Sequence, residues 1–273
     1  MSTQTAASIT VPKVDALQQT ELTDAQCQAF KNAGLLIIRN LIKPDELQTL
    51  QAETLPLVDD ARARAAAMTE QPKTWLDLHD TAYTRHAQTG AITPFRIEYV
   101  VAKSAAARRL LAHPFILRSV ARIQGRDFTS TWDSMVFKSP GGGAIVPWHR
   151  DSGVVAEADA QIFNVDFYLD RSDETNCVWG IPGSNNWPPD RAQTEINRLN
   201  VDGKFLTDGA VPVPMRPGDV LLHDILTLHG SPWAQSQLRR VIYYEFRTAR
   251  TLIASKTHNE NRQSISFMRS SLT

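Results

Sequence analysis

Downstream of residue 128 the chain runs in short β-prone stretches separated by turn residues, and that spacing admits few architectures. The stretches are 129–138, 161–170, 178–182, 220–223 and 240–246. Glycine and proline fall between them, as in Pro217-Gly-Asp. Several short strands at close intervals predict two packed sheets in a sandwich or jelly roll. The expected class is mainly β, a double-stranded β-helix (jelly roll, cupin-like).

The upstream half reads differently. Thr23-Asp24 can cap a helix to about Asn32, which Gly34 ends before the short strand 35–39. Pro44-Asp45-Glu46 opens a second helix with proline in its first turn and acids on the helix dipole. Pro56 is expected to end or kink it, and the stretch 61–68 to resume. Segment 104–125 reads as two helical pieces broken at His113-Pro114, after a strand at 95–101. These helices predict an N-terminal buttress on one sheet of a single domain spanning 1–273, with 1–21 as a loose arm. The polar segment 69–93 carries Trp75, His79, Tyr83 and His86, which are candidates for an entrance or for ordinary packing.

Composition excludes some classes. Lys+Arg and Asp+Glu are both 29, so no basic surplus exists for nucleic acid or an anionic membrane surface. Only Cys27 and Cys177 are present, too few for a disulfide framework. The N-terminus lacks the pattern of a signal peptide, and no apolar run reaches membrane-spanning length. A cytoplasmic protein with a small-molecule partner is expected.

Chemistry concentrates in Val146-Pro-Trp-His-Arg-Asp-Ser-Gly153. In a strand, His149 and Asp151 would point to one face with Arg150 turned away. An imidazole and a carboxylate meeting at one point suit a borderline divalent metal, and a second histidine would complete the facial triad of non-haem Fe(II) oxygenases. Two histidines, His223 and His229, compete for that place. Arg240 follows His229 by eleven residues, at the start of a β-prone run. A guanidinium there can pair bidentately with the far carboxylate of a dicarboxylic co-substrate.

With these residues in place, the chain resembles the phytanoyl-CoA dioxygenase family of Fe(II)/2-oxoglutarate oxygenases over nearly its whole length. Leu22 to Arg39 resembles the family's opening helix and strand, and Trp148-His-Arg-Asp151 its metal motif. Asn176-Cys177 with Ile181-Pro-Gly-Ser-Asn185 resembles the Asn-Gly…Pro-Gly-Ser-His signature, with Cys177 and Asn185 departing from it. Leu228-His-Gly-Ser231 through Arg240 resembles the distal ligand and co-substrate clamp. The resemblance implies that His149, Asp151 and His229 hold Fe(II), and that Ser231 and Arg240 bind 2-oxoglutarate. It further implies dioxygen as oxidant, with succinate and carbon dioxide released. Related halogenases lack the carboxylate ligand. Asp151 therefore points to hydroxylation or a further oxidation.

Strand faces suggest the rest of the site. Ile162, Asn164, Asp166 and Tyr168 share one face of their strand; Phe163, Val165, Phe167 and Leu169 share the other. The resemblance turns the first face into the barrel, making Asn164 and Asp166 candidates for substrate binding. Asp133 and Glu98 are further candidates, and Lys138 is a candidate for holding 2-oxoglutarate. Inward carboxylates and no basic cluster for coenzyme A phosphates predict a small, polar, amine-containing substrate. The alternatives are an acyl-CoA hydroxylase of the same family, a jelly-roll isomerase or hydrolase without oxygen chemistry, and a non-catalytic binding protein.

Overall fold

A computed structural model describes residues 10–86, 89–141, 143–152, 162–234 and 237–248. Of the arm expected over 1–21, residues 1–9 lie outside the described residues. Lys13–Asp15 (β1) is not loose, because it pairs in parallel with Leu35–Arg39 (β2). Between them lies Asp24–Ala33 (α1), where Thr23 and Gln26 form a reciprocal capping box. Gly34 closes the helix at φ 71° and donates its N–H to the Phe30 carbonyl.

Pro44–Ala67 (α2) continues through Pro56 instead of breaking there. Pro56 and Ala52 both lie on the exposed side, so the carbonyl that loses its donor faces water. Then come Thr81–Arg85 (β3), Ile92–Glu98 (β4), Val100–Lys103 (α3), Ala105–Leu111 (α4) and Pro114–Gln124 (α5). The break between α4 and α5 falls at His113-Pro114, as the sequence predicts; α3 carries no signal of its own.

The β-rich part comprises Phe128–Lys138 (β5), Val146–His149 (β6), Phe163–Tyr168 (β7) and Val178–Gly180 (β8). Pro189–Leu199 (α6) follows, then Val211–Val213 (β9), Val220–Asp224 (β10), His229–Ser231 (β11) and Arg239–Thr248 (β12). One sheet runs β1-β2-β10-β7-β12-β5-β4-β3, and the other β6-β11-β8-β9. This is the jelly roll with a helical buttress.

Alternation along the large sheet divides dry from polar. Phe163, Val165 and Phe167 of β7, and Ile242, Tyr244 and Phe246 of β12, point outward. They pack on Phe30, Leu50, Val58, Leu110, Leu111 and Phe115 of the helices. Each such side chain contributes roughly 1.5–3 kcal/mol when fully buried. The opposite residues of the same strands, among them Asn164, Asp166, Tyr168, Val241 and Tyr243, line a cavity between the sheets. Leu199 and Ala192 of α6 cover the outer side of the small sheet against Trp148 and Leu228.

Arg240 belongs to the outward set. Its Nε and Nη2 donate to Asp170 at 2.9 and 2.8 Å, and its Nη1 donates to the Gln51 carbonyl of α2 at 2.8 Å. The Arg240 guanidinium thus bolts α2 to the sheet. Arg240→Ala removes both guanidinium donors from Asp170, which keeps only the backbone N–H of residue 240, and cuts the tie to the Gln51 carbonyl, at a cost of ~3 kcal/mol. Urea unfolding should show that loss, with partial recovery in Arg240→Lys.

Candidate active site

Two antiparallel partners bring the metal-ligating histidines together. His149 ends β6 and His229 begins β11, and their Cα atoms are paired in register. The rings lie 4.3 Å apart between centroids. His149 Nδ1 lies 2.8 Å from the Pro147 carbonyl, and His229 Nδ1 2.9 Å from that of Thr227. An Nδ1–H donated to a carbonyl fixes the tautomer, so each ring presents an Nε2 lone pair.

Asp151 is not in the strand. It sits in the bend after β6, where its N–H donates to the Ile225 carbonyl at 2.9 Å. Its Oδ1 lies 3.3 Å from His149 Nε2 and 3.8 Å from His229 Nε2. One donor atom each from His149, Asp151 and His229 falls within 4.8 Å of the others. Burial, with His149 nearby, pushes His229 down to about 3, keeping its imidazole neutral. Desolvation raises the Asp151 carboxyl, but His229, His149 and His223 outweigh it and hold it well below the usual range. Two imidazole nitrogens and one carboxylate fit a divalent first-row metal such as Fe(II).

The neighbouring residues lock these ligands. Arg150 turns away, as its position predicts, and donates to the Ser184 and Trp187 carbonyls at 2.6 and 3.0 Å. Trp148 stacks on Phe205 with centroids 5.1 Å apart, and its Nε1 donates to the Leu206 carbonyl. Gly230 lets β11 and β6 close up: a Cβ there would lie 2.7 Å from Phe205 Cε2 and 3.0 Å from the Val146 carbonyl oxygen. At Gly34, a Cβ would lie 2.2 Å from Thr227 Oγ1. The Gly34 carbonyl accepts from Asp224 N–H and from the Thr227 hydroxyl, so the end of α1 holds the turn leading to His229. Asn185, where the family's signature has histidine, donates to the Lys31 carbonyl at the same helix end.

The triad opens on a cavity of about 490 Å³. At one end Ser231, Arg239 and Tyr168 line it. Arg239 Nη1 donates to the Asn176 carbonyl at 2.7 Å and to Ser231 Oγ at 3.1 Å. The Ser231 hydroxyl donates to the Cys177 carbonyl at 2.9 Å. The turn with the unusual Asn176-Cys177 thereby seats the guanidinium. Arg239 Nε and the Tyr168 hydroxyl are buried without a protein partner.

Three expected site residues lie elsewhere. Arg240 is on the outer face, one step out of phase with the cavity, and Arg239 takes the inward position. Asp133 also faces outward and accepts from the Val101 N–H at the start of α3, at 3.0 Å. Lys138 points inward, but its ammonium donates to the Ser231 and Pro232 carbonyls, and it does not line the cavity. Burial, then Arg239, pushes the Lys138 ammonium well below its ordinary pKa.

Asn164 and Asp166 line the cavity as their strand face predicts, and His223 lies between Asp166 and Asp151. Its Nδ1 is 2.7 Å from Asp166 Oδ2 and its Nε2 3.0 Å from Asp151 Oδ2. Burial lowers its pKa, but Asp166 and Asp151 carry it up to about 10. Of the segment 69–93, Trp75 lines the cavity. Tyr83 is buried and donates to Asp77, His86 packs at a tilt against Trp233, and the His79 N–H donates to Asp77.

The sequence reading sets Arg239 aside as lying on the strand face opposite Arg240, and weighs His223 only as a metal ligand; the structure puts Arg239 on the cavity and His223 between two carboxylates. The phase of β12 was the available signal: Arg240 shares parity with Ile242, Tyr244 and Phe246, an apolar face.

Known proteins share the family and the fold. The family model described as phytanoyl-CoA dioxygenase (PhyH) matches residues 30–242. A methylphosphonate hydroxylase from Gimesia maris is 23% identical over 236 residues, 83% of this chain and 81% of that protein. The structure of AviO1 from Streptomyces viridochromogenes superposes with a TM-score of 0.64 at 24% identity, covering 82% of this chain and 94% of that one. That of EvdMO1 superposes with a TM-score of 0.63 at 29% identity over 82% of this chain, which spans 50% of the EvdMO1 chain. No described helix is long and apolar enough to cross a membrane. A match over most of the chain, with a two-histidine, one-carboxylate cluster at the expected place, makes it a member of the phytanoyl-CoA dioxygenase family of Fe(II)/2-oxoglutarate oxygenases.

Proposed function

We propose that the protein hydroxylates a compact, polar small molecule, with 2-oxoglutarate bound between the metal ligands and Arg239. The observation that carries this reading is the corner of Arg239, Tyr168 and Ser231 in the same cavity as the triad. Two buried donors there, Arg239 Nε and the Tyr168 hydroxyl, lack any protein acceptor. Such donors are costly unless something accepts from them, and a carboxylate does so well. Burial raises the Tyr168 phenol, so it stays a donor. An isomerase or hydrolase has no need of this corner.

Fe(II), when bound, supplies the coupling of dioxygen reduction to decarboxylation of 2-oxoglutarate. The chain's own residues set the geometry. His149, Asp151 and His229 would hold the metal, and a set of three protein ligands would leave other coordination positions open. Arg239 and Tyr168 would hold the far carboxylate of the co-substrate, and Ser231 accepts from Arg239 Nη1 and so helps fix it. The remaining cavity, lined by Trp75, Phe95, Trp132 and Tyr243 around Asn164 and Asp166, takes the substrate.

Its charges are partnered within the protein. Asp166 pairs with His223, Glu245 with Arg247, and Arg96 with Glu98. The unpaired carboxylate that favoured an amine is therefore absent among the described lining residues. Asn164 Oδ1 and Asp166 Oδ1 are nonetheless buried without a partner. These acceptors suit a substrate bearing hydroxyl or amine donors, with a ring or apolar face against the aromatic side chains. A cavity of about 490 Å³ is too small for a whole acyl-CoA. The likeness to a hydroxylase named for a small phosphonate supports a small substrate and a hydroxylation.

Two measurements test the reading. Succinate formation should require dioxygen and 2-oxoglutarate, stop after chelation, and return with Fe(II) but not Zn(II). Arg239→Ala should raise the KM for 2-oxoglutarate roughly 30-fold or more, as loss of a charge-assisted hydrogen bond of ~2–3 kcal/mol implies. Arg240→Ala should leave that KM near the wild-type value in whatever fraction stays folded. The opposite pattern would return the clamp to Arg240.

A further inference from the structure

Asp151 has two oxygens, and the structure treats them differently. Oδ1 faces His149 Nε2 and His229 Nε2. Oδ2 is turned the other way, 3.0 Å from His223 Nε2 and 2.9 Å from Asn164 Nδ2. His223 is itself held by Asp166 Oδ2 at 2.7 Å. His223 and Asp166 sit on β10 and β7, which are hydrogen-bonded neighbours. The chain Asp166–His223–Asp151 is therefore anchored in the large sheet, whereas Asp151 itself lies in a bend.

We propose that Asp166, His223 and Asn164 are positioning residues that occupy the second oxygen of Asp151 and confine it to one-oxygen coordination of the metal. A carboxylate can bind a divalent metal through one oxygen or both. Chelation through both would occupy a position that co-substrate, dioxygen or water needs. With two donors on Oδ2, rotation of the carboxylate toward chelation breaks both hydrogen bonds. Asp166 prevents the alternative in which the His223 ring swings away, because its grip on Nδ1 fixes the ring plane. The polar set lies on the cavity face, in the interior where a phenylalanine would be the easier residue to bury. Partners outside the coordination sphere commonly change metal affinity ten- to a hundredfold.

The inference rests on His149, Asp151 and His229 being the metal ligands. The test uses the full chain freed of metal, with Mn(II) binding followed by calorimetry and Co(II) by visible absorption, both without substrate. His223→Phe should weaken Mn(II) binding ten- to a hundredfold and shift the Co(II) bands toward a changed coordination number. Asp166→Asn should move both readouts in the same direction by less. The double variant should fall short of the sum of the two, since Asp166 acts through His223. His223→Gln, which restores one N–H donor, should recover part of the affinity.

Thermal unfolding of each metal-free variant identifies those that fold. Should His223→Phe not fold, Asp166→Asn and His223→Gln decide the matter. Wild-type Mn(II) affinity and an unchanged Co(II) spectrum in the folded variants overturn the proposal. Failure of the underlying reading looks different: His149→Ala would then retain the metal.

Discussion

Alternation along two strands governs this molecule. In β7 and β12 every second side chain faces the helices and every other one faces the cavity. The dry face holds Phe163, Val165, Phe167, Ile242, Tyr244 and Phe246, and supplies much of the core. The wet face holds Asn164, Asp166, Tyr168, Arg239, Tyr243 and Glu245. A slip of one residue would send the phenylalanines into the cavity and the carboxylates into the core, so packing energy fixes the register of the site. The same rule separates two adjacent arginines. Arg239 serves the cavity, and Arg240 ties α2 to the sheet through Asp170.

The ligand set joins pieces distant in sequence. The small sheet supplies both histidines, the bend after β6 supplies the carboxylate, and the large sheet supplies the chain that orients it. The N-terminal helices reach this site as well. Gly34, at the end of α1, holds the turn before His229 through Asp224 and Thr227, so the buttress positions a ligand besides covering a sheet. Gly230 meets a different demand, the close approach of two strands carrying facing imidazoles.

Much of the fold was legible because its signals are local. Thr23, Gly34, Pro44 and His113-Pro114 mark helix ends through capping and proline geometry, and the strands after β5 announce themselves by composition and turns. What was not legible depends on tertiary context. Pro56 sits within α2 because its exposed side tolerates the missing hydrogen bond. Residues 13–15 gain order only by pairing with β2. Within the site, the Trp-His-Arg-Asp motif and the Gly-Ser after His229 mark the cluster. Arg240 misled because it stands at a plausible spacing, one residue out of phase with the cavity. Asp133 and Lys138 carry suitable groups that local carbonyls and a helix start already occupy. Asp166 faces the cavity, as its alternation implies, but periodicity could not show that His223 would neutralise it.

A single cavity that takes both a metal on His149, Asp151 and His229 and a dicarboxylate on Arg239 is open to direct observation. Anaerobic crystals grown with Fe(II) and 2-oxoglutarate test it most directly, using anomalous scattering at the iron edge. The expected result is a single iron peak bonded to Nε2 of both histidines and to Oδ1 alone of Asp151, with the far carboxylate of 2-oxoglutarate on Arg239 and Tyr168. Iron bonded to His223, or a co-substrate carboxylate seated away from Arg239, would contradict it.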